Sequence, residues 1–322
     1  MPSHKPAPSP TWTVPYIDQP MAFWEELHHA YQGHIKSVYL PLPGMKTGSG
    51  RPKQPDKYVI DFLNSRLFPV SILINALVLP QPVQDVYASM GPMLEQAIST
   101  WRITEITLTN IALAPLLKSD FPDLALAGST LMEIDSPSQV MFLSDLDVLV
   151  PSTRITRNPD ALYRLKQAFH GDIRLMVNEA CLPSCPLRTQ HFFEMTRPEI
   201  VFPRSLCEDF LVKYPWMRLT GSWVLPQHLH LFDGLYDQLK LSGRISLSNP
   251  SRYRHVLKHY VQRIPLLPHE IGGGPAGVCC PLDLDEMFYI KTLACDKNCM
   301  ACTVCKDYWQ EKTPRRLTGK TP

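Results

Sequence analysis

Two patterns of apolar and polar positions, one typical of strands and one typical of helices, alternate along most of the chain. Short β-rich apolar runs are separated by longer helix-like stretches over residues 34–262, which predicts eight strand and helix units. The predicted strands are 37–40, 70–77, 104–108, 124–127, 147–150, 173–177, 216–220 and 237–241. The predicted helices are 56–66, 83–101, 112–118, 138–143, 159–170, 187–195, 226–231 and 251–262. Two of these helices have a clear start signal, an asparagine followed by proline, at Asn158 and Asn249.

This alternation predicts an α/β fold. Strands that are separated by helices pair in parallel, because each helix returns the chain to the same end of the sheet. Eight such units predict a (β/α)8 TIM-like barrel, irregular where the fourth and fifth units are short. An open doubly wound sheet is the alternative. The predicted organisation is an N-terminal extension over 1–33, a barrel over 34–264 and a cysteine-rich C-terminal tail over 265–322.

Polar residues follow every predicted strand, at the end where barrel enzymes hold their active sites. The residues predicted to bind substrate in these loops are Arg51, Asn75, Asn178, Ser222 and Arg244. Both Arg51 and Arg244 come after a Ser-Gly turn, and a guanidinium there can hold a carboxylate or phosphate through two hydrogen bonds. These positions predict a pocket for a small anionic substrate.

Composition and charge narrow the class of protein. The chain has 322 residues, of which 44% are hydrophobic, and a formal net charge of +2. This charge gives no strong field for a nucleic-acid backbone, although it leaves RNA open as a substrate. The best apolar run, 68–79, is too short for a membrane span, and the first residues contain no apolar stretch typical of a signal peptide. We therefore expect a cytoplasmic protein with reduced thiols.

The nine cysteines all lie in the second half of the chain. Four of them form a dense group: Cys295, Cys299, Cys302 and Cys305. Four thiolates within eleven residues can hold one soft metal centre, and this donor set suits a [4Fe–4S] cluster or, alternatively, tetrahedral zinc. The tail is therefore predicted to bind metal.

A second group of cysteines follows the sixth predicted strand. Cys181 and Cys185 are four positions apart, and Cys207 is close enough in sequence to join them. These three thiols predict a second metal site, for which the alternative is a set of buried structural cysteines. A fourth ligand could come from Cys279 or Cys280, from the tail, or from a substrate on an open iron.

Several of these segments resemble a known family. NEACLPSCPLRTQHF (178–192), the W-x-x-P segment with its K-L-S-G-R ending (221–244) and the C-x3-C-x2-C-x2-C tail are similar to U32 peptidase-like (collagenase-like) barrel proteins, in particular to an uncharacterised iron–sulfur branch. The early GSGRP loop (48–52) also fits. The resemblance implies a TIM-like barrel and an oxygen-sensitive [4Fe–4S] cluster, either one or two per chain. The four-cysteine tail distinguishes this chain from the better-known members.

The resemblance also gives the functional expectation. Several relatives are oxygen-independent hydroxylation factors that act on ubiquinone precursors or on RNA bases, while others are described as peptidases. We therefore expect an oxygen-independent modification, in the first place a hydroxylation, of a small anionic or aromatic molecule, a quinone precursor or RNA. Glu179 and His191 are the candidate acid and base. The alternatives are a U32-type peptidase and a non-catalytic iron–sulfur partner subunit or electron carrier for a related U32-like chain.

Overall fold

The computed structural model describes residues 10–43, 57–196, 205–243, 246–271, 280–293 and 295–313. Eight parallel strands form a closed barrel in chain order, and the last strand pairs with the first. The strands are β1 (Thr11–Pro15), β2 (Ile35–Leu40), β3 (Val70–Ile74), β4 (Ile103–Leu108), β5 (Ala125–Gly128), β6 (Val148–Leu149), β7 (Asp172–Met176) and β8 (Gln238–Lys240). The predicted (β/α)8 fold is confirmed, and the open-sheet alternative is wrong.

Helices connect the strands. The α-helices are α1 (Met21–Tyr31), α2 (Val59–Ser65), α3 (Val83–Thr100), α4 (Ala114–Asp120), α5 (Pro159–Ala168), α6 (Arg188–Thr196), α7 (Ser205–Lys213), α8 (Pro250–Gln262), α9 (Glu286–Leu293) and α10 (Val304–Lys312). Short 3₁₀ helices lie at Ile111–Leu113, Thr130–Met132, Pro137–Phe142, Pro215–Thr220 and Pro226–Phe232. Both predicted start signals are confirmed, because Asn158 and Asn249 each accept a hydrogen bond from a backbone N–H three residues later.

The sequence misplaced one strand. The segment 216–220 is a 3₁₀ helix, in which the Thr220 hydroxyl donates to the Met217 carbonyl at 2.8 Å. The strand that completes the set of eight is instead β1, which lies in the predicted extension 1–33. Its Thr13 aligns with Ser37 on β2 and with Lys240 on β8, so β1 closes the barrel. The first domain boundary, placed at residue 34, is therefore wrong for the described residues 10–33.

The inside of the barrel is polar. Arg174 on β7 and Glu105 on β4 form an ion pair whose side chains are 0% and 4% exposed. Arg174 Nη1 lies 2.7 Å from Glu105 Oε1, and Arg174 Nε donates to Gln238 Oε1 at 2.9 Å. The Ser71 hydroxyl on β3 also donates to Glu105 Oε1, at 2.7 Å. Because four strands supply these groups, the network connects the walls of the barrel across its interior.

A half-buried arginine holds the tail against the barrel. Arg157, in the connection after β6, donates through Nη1 to the Gly221 carbonyl at 3.0 Å and through Nη2 to the Thr292 hydroxyl on α9. Its guanidinium carbon lies 4.6 Å from the ring centroid of Trp223 and 4.5 Å from that of Tyr289. Cation–π contacts with both rings therefore join the W-x-x-P segment to the first tail helix.

The backbone at Gly221 must stay close to its neighbours. A Cβ added there would lie 2.4 Å from the indole nitrogen of Trp223 and 3.0 Å from the Ala180 carbonyl oxygen. The second tail helix, α10, packs against the 3₁₀ helix Pro215–Thr220 that precedes this glycine.

None of the described helices is both long and apolar enough to cross a membrane, as expected from the sequence.

Candidate functional site

The long connection between β7 and β8 carries the first cysteine group to the C-terminal mouth of the barrel. Cys181 and Cys185 lie in its first loop, and Cys207 lies on α7. Cys207 is within hydrogen-bond contact of Cys185, and Cys185 is close enough to Cys181 to affect its ionisation. All three are free thiols. Tertiary structure therefore brings Cys207 on α7 against Cys185, in a separate part of the connection.

Hydrogen bonds fix the loop that carries Cys181. The backbone N–H and the hydroxyl of Ser222 both donate to the Cys181 carbonyl, each at 3.1 Å. The Cys181 N–H donates to Glu179 Oε1 at 3.1 Å. Asn178 Nδ2 donates to the Ser242 and Ile271 carbonyls at 3.1 and 3.0 Å, and its Oδ1 accepts from the Ser242 N–H. Three residues predicted to bind or transform substrate thus shape this loop.

A buried arginine lies beside the same loop. Arg188 donates to the Leu182 carbonyl at 3.0 Å and to the Thr153 hydroxyl, and its Nη1 lies 3.4 Å from Glu133 Oε1. Glu133 also accepts from the Ser152 hydroxyl at 3.0 Å and forms an ion pair with Arg154 at 3.1 Å. Three connections of the barrel, those after β5, β6 and β7, therefore meet at one charged cluster next to the cysteines.

Burial raises the pKa of two of these thiols, Cys181 and Cys207. It raises the pKa of Cys181 well above its ordinary value, and the Glu179 carboxylate raises it further, while the positive charge of Arg188 opposes both. Burial and the neighbouring Cys185 also raise the pKa of Cys207. Metal binding here must release protons, so affinity for a soft metal increases with pH.

The second cysteine group lies in the turn before α10 and in the first turn of that helix. Cys305, on α10, packs against the core, and burial raises the pKa of its thiol to about 12, helped by the other three tail cysteines and opposed by Arg157. The turn is held to the barrel by Lys297, whose Nζ donates to the Arg154 carbonyl at 2.6 Å. Its backbone N–H donates to Cys295 Sγ at 3.3 Å. The tail group therefore lies on the same end of the barrel as Arg154.

Both groups fit a soft metal by the chemistry of their donors. Each supplies only free thiols, which are the preferred ligands of iron–sulfur clusters and of structural zinc. In the described part of the chain, no three His, Cys, Asp or Glu side chains converge closely enough to hold a metal ion. The fit thus rests on the type of ligand and not on a preformed geometry of the thiols.

Substituting Cys299 or Cys302 with serine is expected to remove metal from the tail and to increase proteolysis of α10. The reason is that metal-binding energy also stabilises the folded segment. Elemental analysis and limited proteolysis measure the two effects. Met300→Ser is the matched control, because Met300 is 99% exposed in the same turn. Unchanged iron and zinc contents in both cysteine variants would contradict a tail metal site.

The other predicted residues have varied locations. Asn75 directly follows β3 at the mouth, and His191 lies on α6, three residues after Arg188. Cys280 is fully buried within the hydrophobic core. Arg51, Arg244 and Cys279 lie outside the described residues. The roles assigned to these residues stay predictions.

Sequence reasoning missed the charged groups inside the barrel and the partner of Arg188. Glu105, Arg174 and Lys240 each occupy an alternate position of an apolar strand, and this period-two placement is the signal that could have found them. Glu133 gave no such signal, because it lies at a left-handed backbone position (φ 53°) after a 3₁₀ helix. Its pairing with Arg188 and Arg154 required the tertiary structure.

Comparisons with known proteins agree with the fold. No family model matches the chain. The "Uncharacterized protease MJ1657" of Methanocaldococcus jannaschii is 24% identical over 225 residues, which are 64% of this chain. The match covers 65% of that relative, so this chain spans less than two thirds of its length. The solved structure of the U32 peptidase Mk0906 has a TM-score of 0.53 at 14% identity and covers 76% of this chain and 97% of that one. The resemblance predicted from the sequence is confirmed.

Proposed function

Because this chain is a U32-like (β/α)8-barrel protein, we propose that it is an iron–sulfur enzyme that modifies its substrate without O₂, by hydroxylation, at the C-terminal mouth. One observation carries this proposal. Cys207 contacts Cys185, and Cys185 lies in the same loop as Cys181, at the end of the barrel where enzymes of this fold hold their active sites.

The first cysteine group would hold a [4Fe–4S] cluster through three thiolates. Such a cluster supplies an iron with an open position, which can act as a Lewis acid or redox site. The tail group would hold a second cluster, or zinc as the alternative. Cytoplasmic location accords with these ligands, since thiols stay reduced there.

The chain's own residues bind the substrate and move protons. Glu179 lies against the Cys181 loop, where its carboxylate is placed to accept a proton, and His191 is the second candidate. The substrate is a small anionic or aromatic molecule, a quinone precursor or an RNA base. Hydroxylation replaces C–H by C–OH, so it needs an oxygen-atom donor other than O₂ whose two-electron reduction balances the oxidation of the carbon. A related U32-like subunit is the proposed partner.

The test is anaerobic purification, followed by counting of iron, sulfide and zinc and by electron paramagnetic resonance of the reduced sample. About four irons per chain support one cluster, and about eight support two. Air is expected to bleach the visible absorption of the thiolate-bound iron and to abolish substrate modification together.

The same experiment separates the alternatives. A peptidase that uses ordinary side chains would keep cleaving peptides in air, so robust proteolysis by the cluster-free protein would overturn the proposal. A metal centre that is reduced and reoxidised without any substrate turnover would instead support the electron-carrier alternative.

A further inference from the structure

Arg157 is a half-buried cation that has no carboxylate partner among the described residues. Two other arginines are more deeply buried, Arg174 and Arg188, and they form ion pairs with Glu105 and Glu133. Arg157 instead donates to two backbone carbonyls and one hydroxyl. Its Nε is inaccessible to water and has no hydrogen-bond partner in the described part of the chain. A cation that is partly removed from water without a counter-ion is unfavourable, so this position favours an anion nearby.

The barrel holds the Arg157 guanidinium in place without help from the tail cysteines. Nη1 donates to the Leu219 and Gly221 carbonyls at 2.9 and 3.0 Å. The guanidinium carbon lies 4.6 Å from the ring centroid of Trp223 and 4.5 Å from that of Tyr289. The Tyr289 hydroxyl donates to the Trp223 carbonyl at 3.2 Å, which fixes the two rings relative to each other. The positive charge therefore has a defined position.

The remaining contacts of Arg157 lead to the tail cysteines. Nη2 donates to the Thr292 hydroxyl, and the Thr292 carbonyl accepts a hydrogen bond from the Cys295 N–H at 3.4 Å. Cys305, on α10, is close enough for the positive charge of Arg157 to lower its pKa against the effect of burial. Arg157 therefore lies near the first and the last thiol of the tail group.

The backbone at Lys297 provides an observation that is independent of Arg157. Lys297 has a left-handed conformation (φ 60°), which is uncommon for a residue with a side chain. In this conformation its N–H donates to Cys295 Sγ at 3.3 Å. Neutral sulfur is a weak acceptor, and a hydrogen bond to a charged acceptor is stronger, so this contact would be strengthened by a metal-bound thiolate.

We propose that Arg157 is the counter-cation of a negatively charged metal centre in the tail, formed by the thiolates of Cys295, Cys299, Cys302 and Cys305. Four thiolates outweigh the two positive charges of zinc, and a [4Fe–4S] cluster bound by four thiolates is likewise a net anion. Arg157 does not ligate the metal and acts through its charge and its fixed position. The inference rests on the proposed function only in that the tail binds metal.

The test compares the affinity of the tail for metal in wild type and Arg157→Met, with full-length protein that is purified anaerobically. A chelator at increasing concentration competes for the metal, and the metal that is absent from Cys302→Ser is assigned to the tail. Arg157→Met should weaken metal binding there by about tenfold to a hundredfold, as loss of a residue that supports metal ligands does. If the tail metal is iron, its reduction potential, followed by electron paramagnetic resonance, should also fall, because a nearby cation stabilises the more negative reduced form.

Matched variants separate the charge of Arg157 from its structural contacts. Arg157→Lys keeps the charge and should retain part of the affinity. Arg164→Met removes an exposed arginine from α5 and should bind metal as wild type does. Thr292→Val removes the hydroxyl that orients Nη2 and should weaken binding by a smaller factor, which tests the inference if Arg157→Met does not fold. A purely structural role would lower the Tm of the metal-free and the metal-loaded protein equally, whereas the proposed role lowers that of the metal-loaded protein more.

Failure of this inference is distinct from failure of the proposed function. Equal resistance of the tail metal to the chelator in wild type and Arg157→Met, or a wild-type tail without metal, would overturn the role of Arg157. Neither result affects the first cysteine group, whose iron can be counted in Cys302→Ser. Arg157-dependent zinc binding by a protein that contains no iron would instead support the counter-cation and contradict the iron–sulfur enzyme.

Discussion

Replacing Cys181 or Cys185 with serine is expected to remove nearly all iron from the first cysteine group and with it the visible absorption that this iron contributes. A serine hydroxyl ionises far less readily than a thiol and is a harder ligand, so a cluster with only three protein thiolates does not survive the loss of one. Iron and sulfide counts on anaerobically purified protein measure the effect, and substrate modification should disappear in parallel.

Ser184→Ala is the matched control for this loss. Ser184 lies between the two cysteines, is exposed and carries no thiol, so its substitution should leave the iron content unchanged. If both cysteine variants retain wild-type iron while Cys299→Ser loses it, the metal belongs to the tail alone. The first cysteine group would then be structural.

Arg174→Met is expected to lower the free energy of unfolding by about 3–5 kcal/mol, because it leaves the Glu105 carboxylate buried without its counter-ion. Arg174 is fully buried and donates to both Glu105 and Gln238. Denaturant unfolding of wild type and variant measures the change. Pairing the substitution with Glu105→Gln should recover much of the loss, since the double variant no longer buries a carboxylate without its arginine partner.

The same ion pair predicts a pH dependence. Burial by itself would raise the pKa of Glu105, but the Arg174 guanidinium, with the Ser71 hydroxyl and Lys240, lowers it from 4.5 to about 2. The folded-state pKa lies below the unfolded one, so the contribution of the pair is complete above about pH 4.5 and is lost as the pH falls towards 2. The stability difference between wild type and Arg174→Met should shrink over that range. A constant difference would show that charge is not its origin.

Much of the fold could be predicted because its signals are local. Strand β4 is a run of β-branched residues with polar positions in alternation, and the helices after Asn158 and Asn249 begin with a capping side chain followed by proline. The strand β1 escaped this reasoning, because five residues that end in proline carry little periodic signal. Only the pairing of β1 with β2 and with β8 identifies it as the closing strand.

The candidate site, like the fold, could be predicted only in part from the sequence. Cysteine spacing and the resemblance to U32-like proteins identified the residue types and the end of the barrel from sequence alone. The contacts came from the tertiary structure: Cys207 against Cys185, and Arg188 between Thr153 and Glu133. Each contact joins residues at least 22 positions apart, and no periodic pattern encodes which loops meet at a barrel mouth.

The sequence by itself determined the barrel class, seven of its eight strands and the identity of the thiol donors, since these follow from short-range periodicity and from the chemistry of single residues. Only the tertiary structure decided that β1 closes the barrel, that Glu105 meets Arg174, 69 residues away, and that Lys240 lies over the ring of Tyr39. The physical reason is the closure of the barrel. Side chains from strands far apart in the chain become neighbours only when the last strand pairs with the first, and closure fixes which inward-facing residues share an interior level.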